Sequence, residues 1–461
     1  MAQPNIVLLV TDDMRAGNLA QTGTDDLDAM SQTQQYVGAG GSPANGVRYS
    51  RTYCPAPLCA PDRASILTGQ YAHNHGVWTN DQNIGQGINA LHPLENDLLP
   101  VWLHAVGYKT GFAGKYCNGY GEPGDNKAAS FVPPGWDDWR AFQGDGTYKY
   151  KGPVRVNQNG NVTTIQNNGT YYNTHWVRDR VLARIDQWTG GGSPFFIQGS
   201  FVACHNKHPG AEAKYQGNSN VGNVESTCFN QAQPNDIPWI ADNPPIDTAD
   251  TQLSRRQRRD VLRSVDDAVK AIRDKLVAKV IMNNTLIIFV SDNGFLLGEH
   301  RLSGKNSPYE ESARVPLLAR WTNGPLVPGV HSRMTSVLDI TATLVDVAGA
   351  TPGHALDGRS LWAPTPPTGQ FRPVLIEGHP PGDTPNFSTV RVSDFVYTEY
   401  VGGQKEFFDL TQTPWQRTNY YNGHPEYANT IASLAALLGQ LKNGAGSDYN
   451  VTWTPPARAM L

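Results

Sequence analysis

Pro4-Asn5-Ile6-Val7-Leu8-Leu9-Val10 runs directly into Thr11-Asp12-Asp13. A short, nearly continuous apolar run ending in acidic residues reads as a strand buried on both faces of a parallel sheet, with its polar groups at the carboxyl end. Three more stretches share that form. Thr285-Leu286-Ile287-Ile288-Phe289-Val290-Ser291 ends in Asp292-Asn293-Gly294, Phe195 to Val202 ends near Cys204-His205, and Tyr108 to Ala113 ends at Gly114-Lys115. Between them, apolar residues follow helical spacing over Leu94–Val106, Thr174–Trp188, Leu253–Lys279 and Val337–Ala348. Strands alternating with helices predict an α/β domain on a large, mainly parallel sheet. Residues 118–170, rich in Gly, Asn and aromatic residues, read as long loops or a small hairpin insertion. Ala363-Pro364-Thr365-Pro366-Pro367 reads as a linker. It divides the α/β domain, residues 1–363, from a smaller α+β subdomain, residues 364–461. The subdomain would hold a strand at Val374–Glu377, a hairpin around Val396–Glu399 and Phe407–Leu410, and a last helix near Ala428–Leu441.

At 461 residues the chain is long enough for both units. Its 46 Gly, 33 Pro, 11 Trp and 19 Tyr suit long loops around aromatic-lined pockets, and equally a loop-rich chain with no special pocket. The net charge of -4 offers no general field for nucleic acid or an anionic membrane. The basic run Arg255-Arg256 and Arg258-Arg259 lies in a helical pattern with acidic residues and reads as a solvated helix face. No stretch approaches the roughly 20 apolar residues of a membrane span. Met1-Ala2-Gln3-Pro4 enters a strand without a basic or apolar leader. The expectation is a cytoplasmic protein, or a secreted, periplasmic or lysosomal-type one whose signal peptide was removed. Five cysteines, an odd number, argue against a pure disulfide framework, although Cys204 and Cys228 are placed to close a loop. Glycosylation sequons stand at Asn161, Asn168, Asn283, Asn386 and Asn450.

Ligands of open α/β sheets bind beyond the carboxyl ends of the strands. Asp12, Asp13, Asp292 and Asn293 fall there and offer hard oxygen ligands of the kind that hold Ca²⁺ or Mg²⁺, not Zn²⁺. Each pair alone would also serve as a helix cap or a turn. Leu58-Cys59-Ala60-Pro61-Asp62-Arg63 continues through Ala64-Ser65-Ile66-Leu67-Thr68 to Gly69. Pro61 fits a first helical turn and Gly69 a helix end, so Cys59 sits at a helix N-terminus with Arg63 one turn along the same face. Such a helix start gathers a nucleophile, backbone N–H donors and a guanidinium around one anion. In isolation the same run reads as a buried cysteine beside a surface arginine.

The run is not isolated. Cys59-Ala60-Pro61-Asp62-Arg63 with its continuation resembles the signature of type I sulfatases, of the alkaline phosphatase-like superfamily. Asn5–Asp13, Gly111–Tyr116, Ser291–Gly294, Gly304-Lys305 with Tyr309-Glu310-Glu311, Arg314–Leu317 and Glu406–Leu410 resemble other segments of that family, in family order. Gly69–Val77 and Gly114–Gly121 look most like the N-acetylglucosamine-6-sulfatase and arylsulfatase branch. The resemblance implies that a formylglycine-generating maturation enzyme oxidises Cys59 to formylglycine. The hydrated aldehyde attacks sulfur with one hydroxyl, and its second hydroxyl expels sulfate. It further implies a Ca²⁺ site, with Mg²⁺ as the alternative, made by Asp12, Asp13, Asp292, Asn293 and modified Cys59. Arg63 would pair with that site, while Lys115, His205 and Lys305 hold sulfate oxygens and offset charge on the leaving group.

Some details depart from the pattern. Cys204-His205-Asn206-Lys207-His208-Pro209 lacks the common Pro-His pair; His205 is preferred over His208, with Lys207 a further candidate. Cys117 stands where many members have a histidine, so that role is absent or supplied by another group, such as His300. His300 is read either as facing the pocket and binding substrate or as capping a loop. Asp62 fills a position often occupied by Ser. His73 and His75 are candidates to line the pocket, not to catalyse. The expected substrate is a small-molecule or oligosaccharide sulfate ester. The rival readings are a phosphonate monoester or phosphodiester hydrolase on the same scaffold, and a catalytically silent binding protein.

Overall fold

The first apolar run forms a strand at Asn5–Thr11 because its alternate residues have two cores to enter. Ile6, Leu8 and Val10 pack into one hydrophobic cluster, and Val7 and Leu9 into the other, on the opposite face. This is a computed structural model, and it describes residues 3–16, 25–41, 45–167, 169–205, 211–217, 229, 237, 243–379 and 385–456.

The strands in chain order are β1 (Asn5–Thr11), β2 (Val47–Tyr53), β3 (Lys109–Gly114), β4 (Asp138–Gln143), β5 (Val154–Gln158), β6 (Asn161–Ile165), β7 (Phe195–Ser200) and β8 (Thr285–Ser291). After the short pair β9 (Leu296–Leu297) and β10 (Ser303–Gly304) come β11 (Arg314–Arg320) and β12 (Gly329–Ser336). Ten of them form one sheet in the order β12-β2-β11-β8-β1-β7-β3-β4-β5-β6. β8, β1, β7, β3 and β4 are mutually parallel. β11 runs against β8 and β2, and β5 against β4 and β6, so the remaining eight strands share one direction. Their carboxyl ends therefore lie along one edge.

Helices cover both faces, as the buried strands require. Asn173–Trp188 and Thr248–Ala278 pack on the face of Val7 and Leu9, while Leu99–Ala105 and Leu338–Ala348 cover the face of Ile6 and Leu8. The 118–170 insertion does more than loop. It adds β4 and the hairpin β5–β6 to the sheet edge. The basic run on Thr248–Ala278 is not a solvated face. Arg255, Arg258 and Arg259 are only 6%, 2% and 4% exposed. The helix presses that side onto the turn around Asp25–Asp28, whose carboxylates pair with Arg258 and Arg259. Only Arg256 of the four points to solvent.

A second, antiparallel sheet comprises β13 (Val374–Gly378), β14 (Phe387–Val392), β15 (Phe395–Tyr400) and β16 (Lys405–Asp409). One of its faces is covered by the helix Ala428–Leu441, through Val390, Tyr397, Leu434 and Leu438. On the other, Val374, Ile376, Val396 and Phe408 join the main core. The Glu377 N–H donates to the Pro55 carbonyl at 2.8 Å, which ties this sheet to the loop preceding Cys59. No described helix is long and apolar enough to cross a membrane.

Candidate active site

Parallel strands deliver the site residues to one edge. Asp12 and Asp13 follow β1, Asp292 and Asn293 follow β8, and Lys115 follows β3. β2 feeds Cys54 and the loop into the helix Cys59–Thr68, all ten residues of which are buried. Gly69 ends that helix in the left-handed region (φ 72°), where an added Cβ would lie 2.7 Å from Leu356. Cys59 is thus the first helical residue, with Arg63 one turn in.

The Cys59 thiol donates to Asp12 Oδ1 at 3.3 Å, and the Asp13 carboxylate lies just beyond, at 3.9 Å. Lys305 Nζ is 2.6 Å from Cys59 Sγ and also donates to Asp13 Oδ1. Lys115 Nζ donates to Asp12 Oδ2 at 2.6 Å. Arg63 is fixed through Nε and Nη1, while its buried Nη2 makes no hydrogen bond among the described residues. Its Nε donates to Asp292 at 2.9 Å, its Nη1 to the Lys115 carbonyl and the Ser200 hydroxyl, and its Nη2 lies 3.7 Å from Asp12. Asp292 Oδ1 in turn accepts the backbone N–H groups of Asp13 and Asn293. His205 Nε2 stands 3.7 Å from Asp13 Oδ2, with the ring stacked on Tyr148 at 4.4 Å. Lys115 Nζ sits 5.0 Å over that same Tyr148 ring.

Burial raises the Asp12 and Asp13 carboxyl pKa values, but the surrounding cations, Lys115 at Asp12 and Lys305 at Asp13 foremost, outweigh it and hold both carboxyls below their usual range. Asp292 is pushed up to about 6 by burial and by Asp12. Burial and the Asp12 charge push the Cys59 thiol up, against Lys115 and Lys305, so it is no ready-made thiolate nucleophile. Burial lowers His205 to about 4, which leaves its imidazole neutral.

Asp12, Asp13, Cys59 and His205 each offer an atom within 4.8 Å of the others. Asn293 Nδ2 donates to Asp13 Oδ1 at 2.7 Å, and its Oδ1 is buried with no hydrogen-bond partner among the described residues. An oxygen-rich set with an orphaned amide oxygen fits a hard divalent cation. Three carboxylates face three cations here, so a bound M²⁺ would turn the centre positive and receptive to an anion.

The structure thus brings together Asp12, Asp13, Cys59, Arg63, Lys115, His205, Asp292, Asn293 and Lys305. It places His300 differently. That ring stacks on Tyr309 at 4.2 Å with Nε2 4.0 Å from Glu311, in a wall rather than among the donors. Cys117 is a buried thiol, lifted to about 12 by burial, in the aromatic cluster of Tyr116 and Trp139. Asp62 is fully buried, and burial beside Asp292 pushes its carboxyl well above the usual carboxylate range. His75 does not line the pocket. Its Nε2 meets the Ser65 hydroxyl and its Nδ1 accepts the Val77 N–H, and it is buried. His73 is a tie to the second sheet and the C-terminal loop, through Glu377, the Gly444 carbonyl and Tyr449. Cys204 is a free, buried thiol. Cys228, Lys207, His208 and Asn168 lie outside the described residues.

Three contributors had little sequence signal. Tyr148 lies in the aromatic-rich insertion, flagged only as a region. Ser200 stands at a strand end, where the position itself was the clue. Arg258 donates to the carbonyls of Asp13 and Cys204 (3.2 Å for the latter) and to Asp26 at 3.2 Å, which ties the β1 and β7 ends together.

The sheet, its helical cover and the oxygen-rich pocket at its carboxyl edge define an α/β protein of the alkaline phosphatase-like class. Residues 4–350 match the family model described as Sulfatase, and the chain belongs to that family. It is 31% identical over 374 residues to N-acetylglucosamine-6-sulfatase of Homo sapiens, covering 78% of this chain and 64% of that protein. To the extracellular sulfatase SULF-1 homolog of Drosophila melanogaster it is 30% identical over 369 residues, covering 78% of this chain and 31% of that protein. The chain therefore spans a third to two thirds of the length of these relatives. A solved protein in complex with its substrate D-glucosamine-2-N,6-O-disulfate superposes with a TM-score of 0.71 at 20% identity, over 97% of this chain and 98% of the other. Phosphonate monoester hydrolase of Agrobacterium radiobacter does so at 0.67 and 19%, over 98% and 97%. At those identities the likeness is one of fold.

Proposed function

We propose that this chain hydrolyses a sulfate ester, of a carbohydrate in the first instance, at residue 59. Oxidation of Cys59 to formylglycine by a maturation enzyme is part of the reading, as is a divalent cation, Ca²⁺ or Mg²⁺. So is the exported or lysosomal-type setting that relatives named extracellular suggest. The carrying observation is the placement of Cys59 at a buried helix start, 3.3 Å from Asp12, with the Lys305 ammonium 2.6 Å from its sulfur. Asp12, Asp13, Asp292 and Asn293 would hold the cation, which supplies Lewis acidity toward the ester and the nucleophile. Hydrated formylglycine supplies two hydroxyls, one for attack on sulfur and one for sulfate release.

The chain's own residues do the rest. Arg63, fixed by Asp292, Ser200 and the Lys115 carbonyl, holds residue 59 against the acidic pair. Lys115 and Lys305 are preorganised donors to the sulfate oxygens and offset charge developing on the leaving oxygen. His205, neutral and steadied by Tyr148, presents its ring edge to the same space.

Peptide mass mapping of residue 59 from the native host, with turnover of sulfated monosaccharides, an aryl sulfate and an aryl phosphodiester, tests this. Formylglycine with sulfate-ester turnover is expected. Far faster diester turnover would move the reading to the phosphonate or phosphodiester hydrolases. An unmodified thiol with no turnover would leave a binding protein.

A further inference from the structure

Away from Cys59, a cavity of about 580 Å³ opens between the edge strand β12, the Pro-rich segment Ala363–Gln370 and the turn Ser393-Asp394. β12 stands four strands from β1, about 19 Å at ordinary strand spacing. The volume lies in the range of small-molecule pockets. Its charged lining is lopsided, with Arg51, Arg333, Arg359 and Arg372 against Asp394 alone.

Two of these arginines are staples. Arg372 is gripped by both oxygens of Asp339, at 2.5 and 2.7 Å, and Arg51 by Asp394 at 2.9 Å. The other two meet only carbonyls. Arg333 donates to the Ala363 carbonyl at 3.0 Å, and Arg359 to the carbonyls of Tyr449 and Val451. Among the described residues neither reaches a carboxylate within 4.0 Å. Carbonyl oxygens satisfy N–H groups but carry no net charge to offset a half-buried guanidinium. Each Nε is buried without a partner, and so is the Ser360 hydroxyl beside them. Burial and the neighbouring Arg372 charge lower the Arg359 pKa, against the Asp339 carboxylate, whose two oxygens Arg372 already grips. Arg333 ties β12 to the Pro-rich segment through Ala363, and Arg359 ties its loop to the C-terminal segment, but both do so through neutral carbonyls that leave the guanidinium charge without a carboxylate in contact among the described residues.

We propose that the cavity is a second binding site, taking an oxyanion, sulfate ester or carboxylate, carried on a mono- or disaccharide. Arg333, Arg359 and Ser360 bind the oxyanion, and Phe371 meets the sugar ring.

The test uses the full chain carrying Cys59→Ala. Titration calorimetry and hydrogen–deuterium exchange are run with a sulfated disaccharide, a uronate disaccharide, inorganic sulfate and an uncharged disaccharide. The two charged saccharides are expected to slow exchange across residues 359–372. Arg333→Gln with Arg359→Gln should abolish that protection and weaken this binding event at least tenfold, the scale of a lost charge-assisted fork. Thr365→Glu, an exposed rim position, should do the same by adding a carboxylate while leaving the arginines in place. Full protection by inorganic sulfate alone would overturn the saccharide assignment. Equal binding of the uncharged disaccharide, absence of protection at 359–372, or unchanged binding in Thr365→Glu would overturn the site.

Discussion

Arg258→Met keeps the length of a buried stem and removes the guanidinium that ties two strand ends together. Arg258 is 2% exposed. It donates to the Asp13 and Cys204 carbonyls and pairs with Asp26 at 3.2 Å. Its loss strands the buried Asp26 carboxylate with the Arg15 N–H at 3.1 Å and the Cys204 thiol at 3.8 Å. Breaking one side of a buried pair costs about 3–5 kcal/mol. Asp13 is also a non-glycine residue at φ 63°, a conformation that persists only while its surroundings enforce it, at about 1–3 kcal/mol. Releasing its carbonyl should let the Asp13 carboxylate swing from the donor set. Divalent-cation affinity should then fall about 10–100-fold, as for other supports behind ligands. Urea unfolding of the metal-free protein gives the first number and calorimetric Ca²⁺ titration the second. A double cycle with Asp26→Asn should return a coupling of about 1–3 kcal/mol. Native-like unfolding and unchanged Ca²⁺ affinity in Arg258→Met would refute the tie.

Three further outcomes are expected. Lys305→Ala or Lys115→Ala should lower kcat about 10²–10³-fold in the mature enzyme, measured on an aryl sulfate, because each removes a preorganised cation from the oxyanion. Saturating Ca²⁺ should raise the unfolding free energy by about 2.7 kcal/mol at 100 times Kd, a gain that chelation reverses and that Asp12→Asn with Asp13→Asn abolishes. Burial alone would lower the pKa of His92, but hydrogen bonds to Asp125 (2.7 Å) and Glu95 (2.8 Å) lift it to about 9. A folded pKa above the unfolded value contributes stability below about pH 6.5 that is lost as pH rises through about 9. With burial raising Glu95 as well, the gain is about 2–3 kcal/mol. The His92→Gln protein should show no such loss across that window.

Much of the site was legible because its residues sit where local patterns end. Asp12, Asp13, Asp292 and Asn293 close continuous apolar runs. Pro61 and Gly69 bracket a helix whose first residue is Cys59. Burial on two faces and helical spacing are properties of neighbouring residues, so the runs at Asn5–Thr11 and Thr285–Ser291 and the helix Asn173–Trp188 could be read from the chain alone. The strands β2, β11 and β12 were harder, since Val47–Tyr53 interleaves arginines with tyrosines and takes its place only by pairing with strands some 260–290 residues away. The same limit hid Arg258. A basic run on a helix looks like a wet face until the turn around Asp25–Asp28 folds against it. His73, His75 and His300 show the converse: histidines close in sequence to site residues point into packing contacts, because a helix start or a left-handed turn aims each side chain separately. The sequence by itself determined the strand ends, the helix start and the residue types offered to an anion and a cation. Only the tertiary structure decided which of them meet, since that depends on strand order and on which charges a buried, low-dielectric interior forces into pairs.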